Sequence, residues 1–67
     1  MNTVNSYRLV AYDIESGKVA FDLPNYADMH SLSAGTVLIE GGANWKIVGL
    51  RKDSTPQVRC VDVKKVD

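Results

Sequence analysis

The chain has one cysteine, one histidine, two prolines and one tryptophan in 67 residues, and its eight basic residues are balanced by eight acidic ones. The single thiol, Cys60, excludes the intramolecular disulfide framework that stabilises many small extracellular domains. The single histidine, His30, leaves Cys60 only one candidate base for nucleophilic chemistry, and there is no Cys, His and carboxylate cluster at zinc-ligand spacing. "GGANWK" lacks the length and the Gly-Lys-Ser or Gly-Lys-Thr ending of a phosphate loop. Zero net charge removes the long-range field that draws basic proteins to nucleic acid or anionic membranes. No apolar run approaches the length of a membrane span, and "MNTVNSYRLV" has neither the basic start nor the long apolar stretch of a secretory signal. Together these absences predict a cytoplasmic, non-enzymatic chain that uses no metal or other cofactor and does not engage a membrane.

What is present fits one domain spanning residues 1–67. A chain of this size buries only about 60% of its unfolded surface, so core packing has first claim on every large apolar side chain. The pattern is that of short strands. "RLVAYDI" is apolar on both parities, as in a strand covered on both sides or curled in a barrel, and "ESGK" supplies a glycine-containing hairpin turn. Lys18 to Leu23 then alternates, with Val19, Phe21 and Leu23 on one face, and Pro24 is expected to end that strand because it lacks an amide hydrogen. Residues 25–34, "NYADMHSLSA", read as an ordered loop or a single helical turn.

"TVLIE" reads as a third strand, "GGAN" as a turn, and Trp45 to Arg51 as the return strand, with Gly49 marking a bulge or a bend. "KDSTPQ" is a polar turn. The last strand, Val58 to about Val66, changes its apolar parity at Cys60 and Val61, which a bulge there or a strand shared between two sheets would accommodate. The predicted fold is all-β: a small five-stranded barrel or a strongly twisted antiparallel sheet.

Two segments carry a resemblance. "VAYDI", Val10 to Ile14, resembles the Ala-Leu-Tyr-Asp-Tyr strand of Src-homology-3 domains, and "LSAGTVLIEGGANWKIVGL" is similar to their segment of glycine, acidic residue, strand, turn, tryptophan and strand. The resemblance implies a small barrel in which Tyr12 and Trp45 line a groove for a polyproline ligand. The chain departs from the family pattern where Lys46 replaces the second tryptophan and where "RCVDVKKV" has no Pro-Asn-Tyr element.

Three functions from different classes are consistent with the residues. The first is a protein-interaction module, a small accessory or regulatory protein that binds a partner or a second copy of itself through Tyr12, Tyr26, Met29, His30 and Trp45. The second is a nucleic-acid-binding barrel that uses Lys46, Arg51, Lys52, Arg59, Lys64 and Lys65 around Trp45. The charge split is mild and of a size that chance produces: Arg8 and Lys18 against four acidic residues up to Gly35 give a net of −2, and the remainder is +2. The third is an inhibitor encoded by a phage or mobile element that blocks an enzyme by occupation. Trp45 itself has two readings, as a packing residue of the hairpin or as an interface anchor.

Overall fold

Glu40-Gly41-Gly42-Ala43 reverses the chain through a two-residue turn in which both glycines have positive φ, 59° and 75°. That geometry matches the right-handed twist of the strands it joins. It links β3 (Val37–Glu40) to β4 (Ala43–Leu50) in the register Val37↔Lys46 and Leu38↔Trp45. The turn is shorter than "GGAN" suggested, because Ala43 and Asn44 already pair with β3. A Cβ added at Gly42 meets nothing within 4 Å, so a substitution there costs only backbone strain. A Gly42→Val variant is therefore expected to lose about 1–2 kcal/mol in urea unfolding, and Gly42→Asn clearly less.

The computed structural model describes residues 6–26 and 32–66. β1 (Tyr7–Asp13) and β2 (Val19–Tyr26) form the first hairpin, closed by Asp13 N–H donating to Lys18 O at 2.8 Å. Pro24 does not end β2, which continues to Tyr26. The register moves from Leu9↔Leu23 to Tyr7↔Tyr26, so Pro24 lies in an irregularity on an edge strand, where the ladder does not require its missing amide. A second shift, between Ala11↔Phe21 and Tyr12↔Val19, breaks the expected alternation. Phe21 and Leu23 pack on the core, whereas Val19 stands half-exposed beside Tyr12.

β5 (Val58–Val66) completes a sheet of order β2-β1-β5-β4-β3. The fold is all-β, as the residue pattern predicts, but it is neither a closed barrel nor wholly antiparallel. β1 and β5 run parallel, from Arg8↔Val58 to Asp13↔Val63. Five strands of alternating direction give the first and fifth the same sense, and here those two are neighbours. The sheet curls through 227° into a half-barrel that leaves β2 and β3 as its edges.

The core fills the concave side. Leu9 and Ala11 of β1, Ile47 of β4, and Val61 and Val63 of β5 are buried there together with Leu32. Leu32 begins the described end, residues 32–34, of the segment predicted as a loop or helical turn; Asn25 and Tyr26 belong to β2, and residues 27–31 lie outside the described part of the chain. Central strand β5 is covered on both faces, with Val61 and Val63 inside the curl and Cys60 buried on the convex side opposite Val10. Its two-sided apolar pattern needs no bulge at Cys60, and its register with β1 is unbroken. The irregularity lies in β4 instead, between Ile47 and Gly49, where it brings Ile47 opposite Val63 and Leu50 opposite Val61. Gly49 thus stands at a bulge, as its place in mid-strand suggested. Among the described residues no helix is long and apolar enough to cross a membrane.

Candidate interaction surfaces

Alternation along the strands gives the sheet two faces of different chemistry. Inside the curl, aromatic residues form two contacts at the margins of the aliphatic core. Trp45 of β4 packs against Phe21 of β2 with centroids 6.1 Å apart and planes inclined at 57°. Its indole Nε1–H donates to the Glu40 carbonyl at 3.3 Å, which ties the ring to its own hairpin. Tyr26 meets Tyr7 edge to face at 5.8 Å, and the Arg59 guanidinium lies 4.7 Å from the Tyr7 ring centre.

Tyr12 is on the convex face. The Arg51 guanidinium lies over its ring at 4.3 Å and donates from Nη1 to Asp62 Oδ1 at 2.8 Å. The hydrogen bond from Arg51 reinforces an ion pair that holds the guanidinium proton more firmly than usual, and Asp53 adds a second carboxylate 3.5 Å from Nε. On the same face Arg8 donates from Nε to Asp22 at 3.0 Å, and this bonding lowers the Asp22 carboxyl below the ordinary carboxylate range. Both pairs are solvent-exposed enough for their main effect to be fixing side-chain positions.

The predicted binding residues therefore do not form one surface. Tyr12 and Trp45 stand on opposite faces of the sheet, so these two do not assemble the groove that the domain resemblance implies. Tyr26 and Trp45 share the concave side but belong to different aromatic pairs. Met29 and His30 lie outside the described residues. The basic residues are also dispersed. Lys46 and Lys64 sit opposite one another on the convex face, Lys65 opposite Trp45, Arg59 beside Tyr7, and Arg51 and Lys52 at the turn that leaves β4.

Compared with known proteins, the chain matches no family model, no curated protein and no solved structure.

Edge strand β3 presents a surface that the residue pattern did not single out. Thr36 O accepts from Ile47 N–H at 2.7 Å, and the antiparallel ladder alternates from there. The main-chain groups of Val37 and Ile39 consequently point away from β4, toward the side on which no strand of the described residues pairs. Their side chains are on the convex face, 49% and 73% exposed, and Val48 of β4, 48% exposed, is the diagonal neighbour of Val37. A sequence signal for this existed: "TVLIE" is apolar on both parities, and a strand at a sheet edge covers only one of them.

Cys60 has the opposite character. It is a free thiol buried in the central strand, and its backbone N–H donates to Ser54 Oγ at 3.2 Å. Burial raises its pKa, as does the Asp53 charge, against smaller lowering effects of Arg51 and Arg8. At neutral pH the group is a protonated thiol. Labelling of Cys60 by an aromatic disulfide reagent is expected to be on the order of 100-fold slower in the native protein than in denaturant, since reaction requires both opening and ionisation. Equal rates in the two states would contradict the buried placement.

Proposed function

We propose that the chain is a non-enzymatic protein-interaction module of the cytoplasm, a small accessory or regulatory protein that engages a partner through the β3–β4 hairpin. The observation that carries this reading is the outer edge of β3, which pairs with no strand among the described residues and where Val37 and Ile39 direct main-chain donors and acceptors outward and expose their side chains. Natural sheets commonly blunt such an edge with proline, lysine or a bulge. β2, the other edge, has Pro24 and two register shifts, whereas β3 has neither. An unprotected edge with an adjoining apolar patch is how a sheet accepts an added strand.

The likeness to Src-homology-3 domains supports this reading by analogy of architecture, a curled five-stranded sheet, and carries no polyproline specificity with it. Nucleic-acid binding has less support, because the six basic residues are divided between the two faces of the sheet and the turn after β4, and Arg51 is neutralised by Asp62 and Asp53.

The test is a comparison of wild-type and Ile39→Lys proteins as bait in host lysate after nuclease treatment. Ile39 is largely exposed, so the substitution is expected to change stability by no more than about 0.5 kcal/mol. It should abolish retention of the partner protein. Undiminished retention by a folded variant would remove the β3 edge from the interface.

A further inference from the structure

The convex face beside β3 carries an electrostatic feature that the packing of the chain does not explain. Lys46 of β4 stands directly opposite Lys64 of β5, both side chains are exposed, and among the described residues neither has an ion-pair partner. Like charges in that relation destabilise a sheet. Lys46 is also the direct neighbour of Val37 on its other side. The repulsion from Lys64 therefore biases the Lys46 ammonium outward over Val37, toward the open edge.

We propose that the occupant of the β3 edge is an extended segment of a partner protein that places an acidic residue alongside Val37 and an apolar residue alongside Ile39. This rests on the interaction-module reading and adds the chemistry of the partner to it. Strands in a sheet lie about 4.8 Å apart, so a residue on the added strand opposite Val37 is two spacings, about 9.6 Å, from the Lys46 backbone. Val37 between them is short, and a lysine and a glutamate can together span that distance above it. Their charge pair closes over the valine, while the partner's apolar side chain covers Ile39, the most exposed large apolar side chain of the described residues. A second copy of this chain fits less well. Pairing β3 with β3 would place further Val37 and Ile39 side chains on the face and bring no carboxylate to Lys46 except Glu40, whose parity is that of Leu38 on the concave side.

The prediction can be tested on the full chain, labelled with nitrogen-15, by titration with the blocked heptapeptides TVTETVT and TVTKTVT. The acidic peptide is expected to shift the Val37 and Ile39 amides with a Kd of about 0.1–1 mM, as suits a few main-chain bonds, and to bind about five-fold more tightly than the basic one. A Lys46→Glu variant should invert the preference. A Lys64→Glu variant, which gives Lys46 an internal partner, should erase it while the edge still binds. Equal binding of both peptides at β3 would overturn the acidic partner and leave the interaction module standing. Shifts confined to other strands, or none, would overturn both. Concentration-dependent shifts of the β3 amides without peptide, with a dimer in sedimentation, would assign the edge to a second copy and overturn the proposal.

Discussion

An Ile47→Ala variant is expected to lose about 2–5 kcal/mol of stability and to be largely unfolded at 37 °C. Ile47 is 1% exposed, faces Val63, and precedes the β4 bulge that returns Leu50 to the same face. The loss is large relative to what the domain has available. At about 0.05–0.15 kcal/mol per residue, a chain of this length has some 3–10 kcal/mol in total. Only eight hydrophobic residues are buried among those described, and two of them, Val10 and Cys60, are on the convex side. Urea unfolding monitored by circular dichroism would measure the change; a loss below about 1 kcal/mol would mean that the curl closes over the deleted atoms.

Trp45→Ala is expected to cost about 2–4 kcal/mol, somewhat below a fully buried tryptophan because the ring is only partly covered. β2 and β4 are separated in the sheet by β1 and β5, so the contact of Trp45 with Phe21 crosses the curl instead of running along it. It holds two non-adjacent strands at a fixed distance across the concave side. Trp45→Phe should keep much of the packing and lose the Nε1–H bond to Glu40, a change of about 1 kcal/mol. A double-mutant cycle with Phe21→Leu should show coupling of about 0.5–1.5 kcal/mol. An alanine variant as stable as the parent would instead assign the ring to a partner. The geometry of Trp45 is a contact with Phe21 across the curl and a hydrogen bond to its own hairpin.

The elements legible in the residue pattern are those set by local chemistry. Paired glycines specified the β3–β4 turn, "ESGK" the first hairpin, and Gly49 a bulge, because backbone conformation at these points depends on few neighbours. What escaped was relational. The parallel pairing of β1 with β5 depends on which strands lie side by side, and no single segment encodes that. Val19 changed faces because the irregularity opposite Ala11 and Tyr12 is fixed by pairing with β1 and not by β2's own alternation. Cys60 and Val61 on successive parities were the mark of a strand covered on both faces, for which a bulge was the competing explanation. The second apolar parity of "TVLIE" is visible in the residues, but that Val37 and Ile39 stay uncovered follows from the outermost place of β3. Tyr12 and Trp45 were linked by resemblance alone, and strand parity separates them.

The place of β5 between β1 and β4 also constrains the order of events when the chain is made. Each hairpin closes between residues near in sequence and can form on a microsecond scale by itself. Neither has a second layer, and an isolated hairpin is marginal in water. Within the sheet they are hydrogen-bonded to each other only through β5, whose pairing with β1 joins residues some fifty positions apart, a long loop closure that slows folding. During synthesis, therefore, the two hairpins leave the ribosome with their core faces uncovered, and the sheet becomes continuous only when the nine residues of β5 arrive to lie between them.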